Sequence, residues 1–445
     1  MRRFVMVTAA AAAVATLGAV SPATAGAAGH ALRAGSGAPA RAGQAASGAR
    51  LWFHKYHGPE PSWNSASSVA VSRDGRRVFV TGTSGKKGAD NYATVAYSAT
   101  AGRKLWARRY ISGNAWGPVL MAVSRTRVFV TGTILSSLET RNRDTTVAYS
   151  AATGRQLWFR SYIAGSGGAS SIVVNAAGTA VFVTGIGGTV AYSTGTGRQL
   201  WARRNNGNAI AVNHGGSTVF VTGGTKTVAY DAATGRQLWA LDPPAGNGVE
   251  EGSSVAVNAA GTTVFVTGTS QNAAGQDAEY ATTAYSTSTG SKLWASYYTK
   301  PGDTSDQASS IVVNPAGTAV FVTGLRQDVG QPGGFGDYAT VAYDAATGSQ
   351  LWARGYDGAA TDDVFDFSAP ALAVSPAGTT VYFTGTSDGY RTLAYSAATG
   401  TTLWARHYPA RSKDDEAAIA VSPRGTAVFV TGTTAADYGT VAYRS

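Results

Sequence analysis

Carboxylate side chains gather in three stretches of the second half of the chain, where together they could bind a divalent cation. The groups are Asp303 with Asp306, then Asp362, Asp363 and Asp366, then Asp414, Asp415 and Glu416. Ca²⁺ takes six to eight oxygen ligands, so three neighbouring loops of this kind could supply a site. None of them has the spacing of an EF-hand, and solvated acidic loops are the alternative interpretation. Both the presence and the identity of a metal therefore stay open.

Two tryptophans lie outside the position at which the other eight recur. Trp63 stands in "GPEPSWNS" and Trp116 in "SGNAWGPV". A large flat ring in a loop can stack on a sugar or on an apolar side chain of a partner protein. The alternative is that both rings fill gaps between loops, because tryptophan is buried on average. The candidate binding residues are Trp63, Trp116, Asp362, Asp363, Asp366, Asp414 and Asp415.

The sequence contains no complete catalytic set. It has no cysteine, which excludes a disulfide framework and thiol chemistry. No H-E-x-x-H motif, nucleophile elbow or phosphate-binding glycine loop occurs. His54, His57 and His407 are expected on the surface of outer strands. We therefore identify no catalytic residue.

The N-terminal segment predicts export from the cytoplasm. Arg2 and Arg3 precede an apolar run from Phe4 to Val20, and small residues lead up to Ala25, as in a secretory signal. We expect a signal peptide over residues 1–25, a flexible Ala/Gly-rich leader over 26–48 and one folded domain over 49–445. No later stretch has the roughly 20 apolar residues that a membrane-spanning helix requires, so we expect a secreted protein without a membrane span.

The formal charge of the chain is +11. Many of the arginines recur at one place in a repeated unit, as Arg103, Arg155, Arg198 and Arg236. We interpret this charge as a property of the repeat and not as a patch. Since nucleic-acid binding needs a basic stripe with interleaved aromatic residues, we expect no nucleic-acid partner.

The repeated unit predicts the architecture. "VFVTG" or a close variant begins at eight positions spaced by about 50 residues, a period typical of propellers and solenoids. Each unit has four short stretches like "SSVAVN", "TVFVTGT", "ATVAYS" and "LWARRY", rich in Val, Thr, Phe, Tyr and Trp and separated by glycine turns. Such a unit is a four-stranded antiparallel meander. The fold class is therefore all-β, an eight-bladed β-propeller.

The two ends of the chain are expected to complete one blade together. After the last "TVAY" only Arg444 and Ser445 remain, so the eighth unit lacks its fourth strand. "SGARLWFHKY", from Ser47 to Tyr56, resembles the fourth stretch of the other units. The N-terminal strand should therefore close the ring and remove its open edges.

The fourth stretch carries one tryptophan in every unit, which we assign a structural role between neighbouring blades. Burial of such a ring contributes strongly to packing. The eight residues are Trp52, Trp106, Trp158, Trp201, Trp239, Trp294, Trp352 and Trp404.

The spacing Ala148-x-Ser150-x-x-Thr153-Gly154-x-x-x-Trp158 resembles the tryptophan-docking repeat of propellers similar to pyrroloquinoline quinone (PQQ) dehydrogenases. The stretch from Ser67 to Tyr97 is similar to the SBBP repeat of secreted bacterial propellers. The first resemblance implies eight blades, a quinone over the central channel, a vicinal disulfide, and a Ca²⁺ held by Glu, Asn and Asp beside a catalytic Asp. The chain has no cysteine and no convergent set of this kind on its inner strands.

The loops indicate which face could bind a partner. The turns between the first and second strands of each unit are short and nearly constant, and their opening Ser or Asn is expected to cap the turn. The connections on the opposite face vary, and four of those between the second and third strands are long, in blades 1, 2, 5 and 6. Variable loops on a rigid scaffold tend to bind ligands.

The function predicted from the sequence is therefore a secreted, monomeric, non-catalytic binding or scaffold propeller with a protein or polysaccharide partner. We expect no resident cofactor, with Ca²⁺ as the possible exception. The alternative is a PQQ- or metal-dependent oxidoreductase with its site at the central channel.

Overall fold

All regular structure in the described part of the protein is β-strand. The computed structural model describes residues 46–58, 64–86, 89–110, 114–135, 142–165, 168–242, 248–271, 278–300, 306–327, 336–356, 369–386, 389–409, 417–434 and 437–445. Within these ranges 32 strands form eight four-stranded antiparallel sheets. The described ranges include no helix with the length and hydrophobicity needed to cross a membrane. The predicted eight-bladed propeller is confirmed, whereas the expected signal peptide and almost all of the leader lie outside the described residues.

The first four blades follow one another along the chain. Blade 1 contains β2 (Asn64–Val71), β3 (Arg77–Lys86), β4 (Ala89–Ser98) and β5 (Lys104–Tyr110). Blade 2 contains β6 (Ala115–Val123), β7 (Arg127–Ile134), β8 (Asn142–Ser150) and β9 (Gln156–Gly165). Blade 3 contains β10 (Ala169–Val174), β11 (Ala180–Gly185), β12 (Gly188–Ser193) and β13 (Gln199–Arg203). Blade 4 contains β14 (Ala209–Val212), β15 (Thr218–Gly223), β16 (Lys226–Asp231) and β17 (Gln237–Leu241).

The last four blades continue the ring and return to the N-terminal strand. Blade 5 contains β18 (Glu251–Val257), β19 (Thr263–Gln271), β20 (Ala278–Ser286) and β21 (Lys292–Tyr298). Blade 6 contains β22 (Gln307–Val313), β23 (Ala319–Gln327), β24 (Gly336–Asp344) and β25 (Gln350–Tyr356). Blade 7 contains β26 (Ala371–Val374), β27 (Thr380–Thr386), β28 (Tyr390–Ser396) and β29 (Thr402–Tyr408). Blade 8 contains β30 (Ala418–Val421), β31 (Ala427–Thr434), β32 (Asp437–Arg444) and β1 (Arg50–Tyr56).

Blade 8 is completed by both ends of the described chain. β1 pairs antiparallel with β32, with Trp52 opposite Ala442 and Tyr56 opposite Tyr438. The backbone of Gly48 donates to the carbonyl of Arg444 at 2.8 Å, and Arg444 donates to Ala49 at 2.8 Å. The closure predicted from the sequence is therefore confirmed. In the seven other blades the four strands run from the inside to the outside in chain order.

Threonine pairs inside each blade explain two constant letters of the repeat. The Thr of "VFVTG" lies on the second strand directly opposite the Thr of "ATVAY" on the third, as Thr81 lies opposite Thr94. Both side chains are buried, and their hydroxyls are 3.0 Å apart. Thr222 and Thr227 of blade 4 make the same contact at 3.0 Å. A buried hydroxyl needs a partner, and in seven blades the pair supplies one for each strand, whereas the two hydroxyls of blade 7 make no such contact.

The interface between blades is built around the repeated tryptophan. The eight rings are 6–9 % exposed. Each lies between an aromatic residue on the second strand of its own blade and the tyrosine that ends the third strand of the next blade, as Trp201 lies 5.8 Å from Phe182 and 6.0 Å from Tyr230. Seven of the indoles donate to a carbonyl in the next blade at 2.9–3.2 Å. The predicted structural role of these residues agrees with this packing.

The turn after the third strand carries a glycine because two constraints meet there. Gly235 has a φ of +68°, which L-residues with a side chain adopt at a cost. A Cβ at this position would also lie 2.6 Å from Cδ2 of Trp201. Arg203, two residues after that tryptophan, donates through Nε to the carbonyl of Gly235 at 2.7 Å. Arg108, Arg354 and Arg406 make the equivalent contact with Gly154, Gly400 and Gly48.

A set of buried tyrosines links blades near the opposite end of the third strands. Tyr338 donates to the carbonyl of Thr386 in blade 7 at 2.7 Å, and Tyr438 donates to Thr83 in blade 1 at 3.1 Å. Tyr390 donates in the same way to Thr433 in blade 8. Blades 1, 2, 5, 6, 7 and 8 share this longer third strand, and five of them carry the tyrosine: Tyr92, Tyr280, Tyr338, Tyr390 and Tyr438.

Replacing Gly235 with Ala should destabilise the protein more than replacing Gly224 with Ala. Both glycines belong to blade 4 and have positive φ, so each variant loses about 1–2 kcal/mol from backbone strain. Only Gly235 is covered by a tryptophan, since an added Cβ at Gly224 has nothing within 4 Å. We expect an additional loss of about 1–3 kcal/mol for Gly235→Ala, measured by denaturant unfolding. Equal losses in the two variants would contradict the assigned indole contact.

Candidate functional site

The disc has two faces of different character. In each blade the turn between strands one and two and the turn between strands three and four lie at the same end. A backbone hydrogen bond joins the two turns directly. The N–H of Ala99 donates to the carbonyl of Arg76 at 2.9 Å, and the N–H of Ala232 donates to the carbonyl of Ser217 at 2.8 Å. We call this side of the disc the turn face. The opposite side, which carries the connections between strands two and three and those between blades, is the loop face.

The first turns of the blades are closed by their own side chains, as predicted. The Oδ1 atom of Asn175 accepts from the backbone of Thr179 and Ala180 at 2.9 and 3.1 Å. The hydroxyl of Ser72 accepts from the backbone of Arg77 at 2.9 Å. These polar residues cap the turns, which explains their recurrence without a ligand.

Trp116 lies on the loop face and is half exposed. Its exposed fraction is 50 %, against 6–9 % for the eight docked tryptophans. It stands on β6 at a bulge between Trp116 and Leu120, next to Gly117 with a φ of +72°. Val119 in the same bulge is buried, and its backbone N–H donates to the hydroxyl of Ser67 in blade 1 at 3.0 Å. Trp63, its expected neighbour, lies outside the described residues.

The structure describes only one of the acidic residues singled out from the sequence. Asp303, Asp362, Asp363, Asp366, Asp414, Asp415 and Glu416 lie outside the described residues. Asp306 is described and is fully buried, which excludes the solvated-loop alternative for this residue. Its charge contributes to raising the pKa of Tyr280, whose burial is the larger cause. The described residues contain no group of three or more His, Cys, Asp and Glu side chains that could hold a metal.

The loop face is low over two adjacent blades. In blade 3 only Ile186 and Gly187 separate β11 from β12, and in blade 4 only Gly224 and Thr225 separate β15 from β16. Exposed Arg204 and Asn206 lie in the connection between these blades. In blade 1 the expected long loop is a hairpin, because β3 and β4 extend through most of it. We call the part of the loop face over blades 3 and 4 the low sector. Blade 2, which carries Trp116, borders it.

Asp144 is a buried carboxylate that the sequence interpretation missed. It lies on β8 opposite Thr133, where other blades place the linking tyrosine opposite their threonine, as Tyr92 opposite Thr83. Its Oδ1 atom accepts from the backbone of Ala169 in blade 3 at 2.8 Å and from the Thr133 hydroxyl at 3.1 Å. Burial raises the pKa of Asp144 to about 7, and these two hydrogen bonds oppose the shift. An alignment of the third strands of the blades would have revealed this residue, because blade 2 has an Asp where five other blades have a Tyr.

The inner strands enclose an apolar cavity of about 700 Å³ that opens towards the turn face. Its wall consists of small aliphatic residues, with Ser, Asn and Pro in the turns. Among the described residues of the wall, the charged or titratable side chains are Arg73, Arg125, Arg127 and His214, all at or beside the first turns of blades 1, 2 and 4. These described wall residues therefore supply no carboxylate to hold Ca²⁺. These residues do not fit the quinone and Ca²⁺ site that the PQQ dehydrogenase resemblance implied.

Sequence comparison matches the chain to one protein family. The family is the PQQ-like repeat family described as outer membrane protein assembly factor BamB, and the matches cover residues 36–201, 142–405 and 282–442. Overlapping matches are expected when one model of several repeats fits a closed ring in more than one register. No curated protein is similar enough to the chain to match it.

Solved structures share the fold at low sequence identity. BamB from Moraxella catarrhalis has a TM-score of 0.52 at 14 % identity and covers 89 % of this chain and 99 % of its own. Sqt1 from Chaetomium thermophilum has a TM-score of 0.63 at 11 % identity and covers 89 % and 98 %. The hydrazine synthase of Kuenenia stuttgartiensis has a TM-score of 0.52 at 10 % identity and covers 73 % and 94 %. The last of these is named as an enzyme, so the fold alone does not decide function.

The free energy of unfolding should fall as pH rises, owing to Asp144. Its pKa is about 7 in the folded protein against an ordinary 3.8, so the folded state holds this proton more tightly. The stabilisation is fully present below pH 4 and is lost as pH passes through 7. Between pH 5 and pH 8 the loss in the free energy of unfolding amounts to roughly 2.5 kcal/mol. Denaturant unfolding of the wild type and of Asp144→Asn at pH 5 and pH 8 measures this loss. If the unfolding free energies of the two proteins change with pH in parallel, the prediction for Asp144 is wrong.

Proposed function

The chain belongs to the family of PQQ-like repeat propellers described as outer membrane protein assembly factor BamB, and from this premise we propose that it is an exported, non-catalytic binding protein. Its loop face receives a protein or polysaccharide partner. The observation that carries the proposal is the half-exposed Trp116 at the edge of the low sector. Each other described tryptophan is docked between blades.

Trp116 has the properties of a preorganised anchor. The strand on both sides of it is held, since Trp116 pairs with Thr133 on β7 and the backbone of Leu135 donates to Asn114 at 2.9 Å. The bulge that raises the ring is fixed to blade 1 through Val119 and Ser67. A rigid aromatic ring loses little conformational entropy when a partner covers it. Aromatic residues of this kind contribute strongly to protein interfaces and to sugar binding.

The low sector gives a partner access to that ring. Blades 3 and 4 connect their second and third strands by two residues, so no long hairpin of these blades stands beside blade 2. Exposed Arg204 and Asn206 in this sector can exchange hydrogen bonds with a peptide backbone or with sugar hydroxyls. A flat apolar ring and polar donors on the same face suit both classes of partner.

The oxidoreductase alternative has less support. A calcium-dependent quinone needs carboxylate ligands beside it, and the described residues of the central cavity wall include neither Asp nor Glu. Among the described wall residues, the side chain suited to proton transfer is His214, which stands in a turn at the mouth of the cavity and not on the aliphatic strands. These observations favour binding over catalysis as the role of the propeller.

Replacing Trp116 with Ala should weaken partner binding at least tenfold without a matching loss of stability. Truncating an interface anchor costs about 2 kcal/mol or more, which is above a tenfold change in Kd. For sugars, binding of neutral gluco-, xylo- and chito-oligosaccharides to the full chain is measured by calorimetry. For proteins, a photo-crosslinking residue at position 116 identifies the partner, whose affinity for both forms is then measured.

Phe159→Ala provides the matched control. Phe159 is 48 % exposed in the same blade, but it lies on the outer strand β9 and not on the loop face. We expect this variant to bind like the wild type. If neither sugar nor protein engages position 116, or if Phe159→Ala loses as much affinity, the proposal is wrong. Substrate turnover that depends on Trp116 would also overturn it.

A further inference from the structure

The turn face carries two rows of basic side chains. Residues at one position of the repeat occupy equivalent places around the ring, so arginines that recur in the repeat necessarily lie on one face. The sequence interpretation of the charge as a repeat property rather than a patch is therefore wrong in this respect. The outer row, in the turns between strands three and four, is Arg103, Arg155, Arg198 and Arg236. The inner row, in the turns between strands one and two, is Arg73, Arg125, His214 and Arg424.

The basic rows cover one sector, blades 8 and 1 to 4. In the turns of blades 5, 6 and 7 the corresponding positions are occupied by uncharged residues. The acidic residues in the turns of this face are Asp74, Asp231 and Asp344, and each accepts hydrogen bonds within its own turn. These bonds lower the pKa of Asp231 and Asp344, so both remain charged but are engaged locally. The sector therefore has a strong excess of positive charge.

The fold does not require arginine in the outer row. Blades 5, 6 and 7 form the same turn with Ser291, Ser349 and Thr401 at this position. The exposed outer-row side chains form no hydrogen bond or ion pair within the described residues, although Arg236 lies near the Asp231 charge. Arg203, by contrast, is held by Gly235 and Thr234 of the next blade. The structural arginines of the repeat and the outer row are thus two separate sets.

The remaining chemistry of this face favours a carbohydrate polyanion. In blades 2, 3 and 4 an exposed threonine stands two residues before the outer-row arginine: Thr153, Thr196 and Thr234. Its hydroxyl accepts a hydrogen bond from the backbone N–H of the arginine at 3.2 Å. No aromatic residue occurs in any turn of this face, which disfavours base stacking with single-stranded nucleic acid. No large apolar side chain occurs there to enter a membrane.

We propose that the basic sector of the turn face binds an acidic polysaccharide. Guanidinium groups match carboxylate and sulfate groups in two-point geometry, and neighbouring threonine hydroxyls match the sugar hydroxyls. The sector extends over five consecutive blades, so a long chain engages several arginines at once and gains affinity from multiple weak contacts. This site is separate from the loop face and does not depend on the function proposed for it.

The test compares polygalacturonate, a carboxylate polymer, with uncharged dextran as ligands of the full chain at low and moderate salt. We expect saturable binding of polygalacturonate that weakens with salt, and no binding of dextran. The variant changes all four outer-row arginines to Ser, the residue that blades 5 and 6 carry there. It should fold like the wild type by circular dichroism and thermal melting, and its Kd should rise about tenfold or more.

A control variant removes the same charge elsewhere. Lys55→Ser, Arg143→Ser, Lys226→Ser and Lys300→Ser together take four exposed cations from outside the turn face. We expect this control to keep at least half of the wild-type affinity. A complementary variant that combines Ser291→Arg, Ser349→Arg and Thr401→Arg extends the outer row into blades 5 to 7 and should tighten binding.

Three outcomes would overturn the proposal. One is the absence of polygalacturonate binding even at low salt. Another is an equal loss in the outer-row and control variants, which would mean that only net charge matters. The last is tighter binding of double-stranded DNA or of phosphatidylglycerol vesicles through the same four arginines, which would assign the sector to another class of partner.

Discussion

The docking of each tryptophan on the following blade is the contact on which the rest of the molecule depends. One indole meets the aromatic residue of its own second strand, the tyrosine of the next blade and the glycine of the next turn, as Trp201 meets Phe182, Tyr230 and Gly235. These residues are four of the most constant letters of the repeat. Any change in one of them alters a contact between two blades and not only the blade that contains it. The turn face is uniform because this contact lies beside it.

The loop face is free of that constraint, and the molecule varies there. Tyrosines such as Tyr338 and Tyr438 join blades near this side, but blades 3 and 4 omit the longer strand and blade 2 substitutes Asp144. The ring tolerates these differences because the tryptophan contact holds the blades at the other end. Variation in length and chemistry can therefore accumulate where Trp116 and the low sector lie.

The fold could be predicted from the sequence because local and long-range information coincide in a repeat. Eight copies of one strand pattern indicated the blades, and the unmatched Leu51-Trp52 indicated how the ring closes. The burial of Asp306 could not be predicted in this way, since Ala278 and Tyr280, with which it interacts, belong to the preceding blade. The hairpin of blade 1 was also missed, because polar residues in paired strands resemble a loop. The arginine rows could be recognised only by placing equivalent positions of the repeat around the ring.

The closing strand has a mechanical consequence. β1 begins at the turn face, where Ser47 and Ser445 are joined by a hydrogen bond, and it ends at the loop face. A tension applied through the residues before β1 therefore pulls towards the turn-face side of the disc. If the opposing load acts on the loop face, it runs along the β1–β32 ladder and stresses its hydrogen bonds in parallel, which is the geometry that best resists rupture. If it acts on the C-terminus instead, the same ladder opens one bond at a time, so the strength of this propeller depends on direction.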